Sequence, residues 1–220
     1  MLLQDQKKAA PTDDNPALDL QSAILITMCN LVEYPNDLNG KHVERSEQFL
    51  GFLIEEMIKQ GVYQDELNSW DTKVFLQAVS LHDVGKVAIH DNILMKPSPL
   101  TVDEFTEMKK HTTYGEMIIE KMQKNTRKSA FLYHARIIAG THHEKWDGTG
   151  YPRGLTGAAI PLQGRLMAIM DVYDALITDK PYKKALPVDE AKRVITAGSG
   201  KYFDPALMDG FLAAAHRFHN

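Results

Sequence analysis

A single cysteine, Cys29, is all that the 220 residues contain. No intramolecular disulfide can therefore staple the fold, and a reducing compartment suits the chain. Cys29 lies in the run Ala23-Ile24-Leu25-Ile26-Thr27-Met28-Cys29 and reads as helix core rather than as a redox centre. Long hydrophobic runs are missing as well. The most apolar window, Leu18 to Tyr34, is interrupted by Asp19, Gln21, Asn30 and Glu33, which makes it too short and too polar to span a bilayer. The first residues show no basic region followed by an apolar stretch, so no targeting segment is read there. A soluble, cytoplasmic protein with no membrane partner is expected. Excess positive charge is absent too: the formal net charge of -4 argues against broad binding of a nucleic acid polymer, while leaving room for a local basic pocket. Alternating period-two stretches, internal repeats and low-complexity linkers are also lacking, which removes the usual signals of sheets and solenoids.

What is present is a helical pattern with enough apolar content, 44%, to build a core. Residues 1–17 read as a flexible lead and 18–220 as one domain. Asn15-Pro16 signals the start of a first helix that runs to about Tyr34. A second follows over roughly 41–60, with Phe49, Leu50, Leu53, Ile54, Met57 and Ile58 on its apolar face. Asp71 caps a third, which delivers His82 and Asp83 at its end. Thr101-Val102-Asp103-Glu104 is a capping box opening a helix that carries His111 and continues to about Met122. Another helix, from about Lys128, ends at His142-His143. Pro161 starts one bearing Asp171 and Asp174, and Pro187 and Asp204-Pro205 mark two more. The expectation is an all-α bundle with helices at about seven places.

Chemistry concentrates in two stretches, His82-Asp83-Val84-Gly85-Lys86 and the glycine-rich loop that follows His142-His143-Glu144. Taken with His42, His111 and Asp171, they supply five imidazoles and two carboxylates. Nitrogen and carboxylate donors without thiolates suit iron, manganese or a related divalent metal and disfavour a structural zinc site. A carboxylate can join two cations, and Asp83, beside a histidine, is the natural bridge. Two metals so held would lower the pKa of a bound water, giving hydroxide near neutral pH to attack phosphorus in line. A lone His42 or His111 would be an ordinary helix histidine; it is the set, spread over different helix ends, that signals a centre. His90, His134, His216 and His219 match no such position. Asp147, Gly148 and Gly150 are compatible with plain turn chemistry. Tyr151 reads either as an aromatic packing the loop down or as a ligand contact. Lys86, Lys180 and Lys183 would be solvated in most sequences, but a phosphodiester substrate needs such cations.

These residues resemble the HD-GYP family, a branch of the HD phosphohydrolases. The matching elements are Asn39-Gly40-Lys41-His42-Val43-Glu44-Arg45, His82-Asp83-Val84-Gly85-Lys86, His111 with Gly115, His142-His143-Glu144 and Asp147-Gly148-Thr149-Gly150-Tyr151-Pro152. Gly154-Leu155-Thr156-Gly157, Ile160-Pro161-Leu162, Asp171-Val172-Tyr173-Asp174-Ala175-Leu176 and Phe203-Asp204-Pro205 follow in order. The resemblance implies an all-α fold, a centre of two or three metals, and hydrolysis of cyclic di-GMP to linear pGpG, with GMP as a further product. It implies His42, His82, Asp83, His111, His142, His143 and Asp171 as metal ligands. Lys86 would sit near the scissile phosphate, with Asp147, Gly148, Gly150, Tyr151, Asp174, Lys180 and Lys183 around the substrate. The loop also offers a surface for signalling proteins.

Two departures bear on chemistry. Some family members carry a glutamate four residues before the first histidine ligand, where this chain has Leu38, so two metals rather than three are expected. Lys180-Pro181-Tyr182-Lys183 stands where the family usually has Arg-Pro-Tyr-Lys, which keeps the charge and loses the bidentate fork. The alternatives are a hydrolase of another cyclic dinucleotide, such as cyclic GMP–AMP, and a catalytically weak module that senses cyclic di-GMP.

Overall fold

The computed structural model describes Thr27 and residues 41–126, 128–179 and 184–218. Apart from Thr27, the expected first helix lies outside the described residues, as do Cys29, Asp37, Leu38, Lys180 and Lys183. Among those described the chain is helical, and its only β-type pairings are the isolated bridges Asp147–Thr156 and Ser199–Phe203. No helix of the described residues is long and apolar enough to cross a membrane.

Local chemistry accounts for most of the elements. Helix α1 (His42–Lys59) buries Phe49, Leu50, Leu53, Ile54 and Met57 at three- and four-residue spacing, the stripe that a core-facing helix presents. A short α2 (Gln64–Asn68) leads to α3 (Thr72–Ala78), whose first turn is capped by the Asp71 carboxylate accepting from Val74 N–H at 3.1 Å. A 3-10 turn, Val79–Leu81, continues α3, so His82 and Asp83 stand in the bend before a second 3-10 turn, Val84–Ala88. After α4 (Asp91–Leu94), the capping box of Thr101 and Glu104 forms as expected and opens α5 (Val102–Lys109). Helix α6 (His111–Lys124) is followed by α7 (Ala130–Thr141), capped by Ser129. Then come α8 (Leu162–Ile177), α9 (Val188–Ala197) and α10 (Met208–Phe218).

Helix α8 is the centre of the bundle: from Leu162 to Met170 every residue is buried. It packs on α7, α1 and α9, while α10 lies along α1 and α6 lies along α7. Phe49, Tyr173 and Phe211 meet where α1, α8 and α10 converge, with ring centroids 5.1 to 6.0 Å apart.

Two readings of the sequence need correction here. The stretch expected to be one helix through His111 is two, broken at Lys110, because the second 3-10 turn presses against the start of α6. That contact tolerates no side chain: a Cβ on Gly85 would lie 1.9 Å from the His111 carbonyl oxygen and 2.4 Å from Gly115 N. Helix α3 is also shorter than expected and does not itself carry His82; the tighter 3-10 geometry turns the chain there. The short α2 and α4 had no strong periodicity to reveal them.

Gly85→Ala should therefore destabilise the chain, since both clashing atoms are backbone and no rotamer relieves them. A loss of about 1–3 kcal/mol is expected, at about 2–4 °C in Tm per kcal/mol for a domain of this size. Thermal melts of the two proteins decide it: an unchanged Tm would mean the 3-10 turn can move freely off α6.

Candidate metal centre and its loop

The centre is assembled from helix ends. His42 is the first residue of α1 and His111 the first of α6. His142 and His143 follow α7, and Asp171 projects from within α8. The donor atoms form two groups, His111 with His142 and His143, and His42 with His82 and Asp171, each with its ligand-type atoms within 4.8 Å of one another. Asp83 lies between them. Its Oδ2 is 3.1 Å from His82 Nε2, and its Oδ1 is 3.2 Å from His111 Nε2 and 3.8 Å from His142 Nε2.

Three of the imidazoles are held in one tautomer. The Nδ1–H of His82 donates to Val79 O at 3.0 Å, that of His111 to Met108 O at 2.8 Å, and that of His142 to Ile138 O at 3.0 Å. The neutral ring then carries its lone pair on Nε2, facing inward. His111 Nε2 and His142 Nε2 stand 3.4 Å apart, and Asp83 Oδ1 between them is buried with no hydrogen bond among the described residues. Lone pairs on two nitrogens and a carboxylate oxygen converging at such distances repel one another unless a cation is shared. That arrangement fits a divalent metal, and the absence of sulfur fits a metal that accepts nitrogen and oxygen.

Burial decides the protonation of the histidines. It pushes the His142 imidazole well below its usual range, aided by the neighbouring His143, and it lowers His111 despite the Asp83 charge. For His143, burial outweighs the opposing pull of Asp171 and takes the pKa to about 4. Burial works to raise Asp83, but the Lys86 ammonium, together with the His82 and His111 rings beside it, holds it well below the ordinary carboxylate range. The Lys86 ammonium donates directly to Asp83 Oδ2.

Asp174, expected near the substrate, is instead buried behind His42. Its Oδ2 accepts from His42 Nδ1 at 2.7 Å, while Arg45 Nε and a terminal nitrogen donate to it at 2.5 and 3.0 Å. Burial would raise the Asp174 pKa, yet these hydrogen bonds hold it far below the usual value. Such an outer partner fixes the ring orientation and tautomer of a candidate metal ligand. Arg45 went without a role in the sequence reading; its position one turn after His42 on the same helix was the available signal.

The loop after His143 is clasped by Glu144, another residue whose role was missed. Its buried carboxylate accepts from Arg153 N–H at 2.8 Å and Leu155 N–H at 3.0 Å. Trp146 and Asp147 donate their N–H groups to Tyr202 O and Lys201 O, at 3.1 and 2.9 Å. The Asp147 side chain is exposed and accepts from Thr149 N–H and Oγ1–H at 2.9 and 2.7 Å, which is turn chemistry. Gly148 has φ +81°, and a Cβ on Gly150 would sit 2.3 Å from Lys145 N, so both shape the loop. The result is Tyr151 held against His143, with ring centroids 4.8 Å apart. Elsewhere, His134 packs among Trp70, Phe75 and Tyr133, away from the cluster.

The depressed His143 pKa makes the metal-free chain acid-sensitive. The unfolded chain takes up a proton near the ordinary pKa of 6.5, the folded one only near 4, so this stability is present above pH 6.5 and lost as pH falls toward 4. His111 and His142 act in the same direction. In urea titrations of metal-free protein the midpoint should drop across that window, and less steeply for His143→Gln. A level midpoint would show that the imidazoles are not held neutral.

Comparison with known proteins agrees with this architecture. The family model described as HD domain matches residues 18–207. A cyclic di-GMP phosphodiesterase of Vibrio cholerae is 40% identical over 218 residues, covering 99% of this chain and 44% of that protein. A cyclic di-GMP phosphodiesterase of Thermotoga maritima is 39% identical over 194 residues, covering 88% of this chain and 49% of that protein. A 3′3′-cGAMP-specific phosphodiesterase of V. cholerae is 37% identical over 186 residues, covering 84% and 33%. The chain thus spans less than half the length of these curated relatives. The crystal structure of a cyclic GMP-AMP specific phosphodiesterase of V. cholerae superposes with a TM-score of 0.54 at 20% identity, over 90% of this chain and 50% of that one, a likeness of fold alone. With its motifs in order and the family model spanning most of its length, the chain belongs to the HD domain family.

Proposed function

We propose that this chain is a metal-dependent phosphodiesterase that hydrolyses cyclic di-GMP to linear pGpG. The observation that carries the reading is Asp83, which turns one oxygen toward each of two three-residue donor groups. His42, His82 and Asp171 would hold one divalent cation and His111, His142 and His143 the other, with Asp83 joining them; iron or manganese suits the donors. Such a pair of cations supplies water activation for in-line attack on phosphorus and neutralises charge on the phosphoryl oxygens.

The chain's own residues set the conditions for that chemistry. The Nδ1–H bonds to backbone carbonyls fix the tautomer of three imidazoles and aim their Nε2 inward, while burial holds His111 and His142 neutral. Asp174, itself held by Arg45, orients the His42 ring through Nδ1. Lys86, at Asp83 Oδ2, supplies a positive charge where phosphoryl oxygens would gather. Tyr151 covers His143, and the loop built on Asp147, Gly148 and Gly150 narrows the approach. Lys180 and Lys183 would hold the second phosphate. The relatives named as cyclic di-GMP phosphodiesterases support this substrate.

A hydrolase of the mixed cyclic GMP–AMP dinucleotide is the second reading, favoured by the cGAMP-specific relative and by Lys180 in place of arginine. Anaerobically purified protein should carry about two metals per chain, by elemental analysis of Fe and Mn, and accumulate pGpG from cyclic di-GMP on chromatography. Faster cleavage of the mixed dinucleotide would favour the second reading, and tight binding without cleavage would make the chain a sensor.

Lys86→Ala should keep its metal and lose turnover, on the order of 100-fold, as when a donor to developing negative charge is removed. Asp83→Asn should lose both. Metal loss in the Lys86 variant would assign that residue to assembly of the centre instead.

A further inference from the structure

Helix α5 buries none of its residues, yet it carries an aromatic ring beside the centre. Phe105 is 47% exposed, so the core does not account for it. The helix is nonetheless firmly placed, by its capping box and by Lys96, which pairs with Glu104 at 2.5 Å. The Phe105 ring stands edge-on to Tyr151, centroids 6.4 Å apart at 84°, and Tyr151 in turn lies against His143. Lys109, one turn along α5, places its ammonium 5.4 Å from the Phe105 centroid and 6.0 Å from that of Tyr151. Its neighbour Lys110 pairs with Glu107, but the half-buried Lys109 ammonium makes no ion pair among the described residues. The described surface thus has two aromatic rings and an uncommitted cation at the mouth of a centre read as cleaving a cyclic dinucleotide.

We infer that Phe105 and Lys109, with Tyr151, form the wall that receives a guanine base of the substrate, the Phe105 face stacking on the purine and the Lys109 ammonium donating to its O6 and N7 edge. The inference rests on the phosphodiesterase reading and adds to it the base that the site selects. An exposed aromatic face stacks any base, which gives affinity without choice. Lysine supplies the choice. Guanine offers two acceptors, O6 and N7, on one edge, whereas adenine offers N7 beside an N6 amino donor. An ammonium has only donors and so favours the first and meets a donor in the second. The ring-to-ring path from His143 through Tyr151 to Phe105 keeps the base next to the phosphate that the centre holds.

The test uses the metal-loaded full chain with cyclic di-GMP and cyclic di-AMP as probes. Phe105→Ala should raise KM for cyclic di-GMP about tenfold, the scale of one lost base stack, with the loss falling on KM rather than kcat and with metal content and Tm retained. Lys109→Met should weaken cyclic di-GMP and leave cyclic di-AMP where it was, so the preference between them narrows. Lys110→Met, a neighbouring charge change away from the wall, serves as the control and should alter neither. An unchanged KM in the Phe105 variant, or an unchanged preference in the Lys109 variant, overturns the inference. So does a loss confined to kcat, which would make α5 a support for the Tyr151 loop. If the wild-type chain does not cleave cyclic di-GMP, the phosphodiesterase reading fails separately. Dissociation constants for the same dinucleotides then judge the wall, and equal values for wild type and Phe105→Ala overturn it.

Discussion

Electron pairs crowd around the Asp83 carboxylate, and much of the surrounding structure holds them together. His111 and His142 bring imidazole nitrogens within 3.4 Å of each other, with a buried carboxylate oxygen beside them. Without a cation this is an unfavourable arrangement, because like partial charges face one another where little water can screen them. With one, the same lone pairs become ligands. The constraint explains why the neighbouring contacts are so close. Gly85 lets a 3-10 turn touch the backbone of α6, and that contact brings Asp83 up to His111.

The outer groups follow from the same need. A histidine whose Nδ1 is tied to a carbonyl has a defined lone pair at Nε2, and three of the five imidazoles are tied in this way. His42 opens its helix and finds its partner across the bundle, in Asp174, whose charge Arg45 balances. The glycine-rich segment belongs to this scheme as well. A loop with several glycines has much conformational freedom to lose, and the Glu144 carboxylate removes it by taking two N–H groups of the far strand of the loop. Tyr151 is thereby held over His143 without contributing to the hydrophobic core.

Much of this was legible from residue order. Helix starts at Asp71, Thr101, Pro161 and Pro187 follow from capping and proline chemistry, which act within one turn. The break at Lys110 was not legible, since its cause is a contact with Gly85, and the helical pattern runs through it. The turn chemistry of Asp147 could be read from its neighbours, and the hydrogen bonds to Thr149 bear that out. Glu144 and Arg45 stood within recognised motifs, but nothing local says what a carboxylate or a guanidinium will meet after folding.

By itself the sequence determined an all-α chain, the starts of several of its helices, and a donor set of imidazoles and carboxylates without sulfur. These follow from interactions a few residues apart and from side-chain chemistry that needs no fold. Tertiary structure alone decided how the donors divide into two groups with one Asp83 oxygen toward each, and that Asp174 is buried behind His42. It also placed Phe105 next to Tyr151. The physical reason is separation along the chain: His42 and Asp174 are 132 residues apart, and their 2.7 Å contact exists only once α1 and α8 have packed.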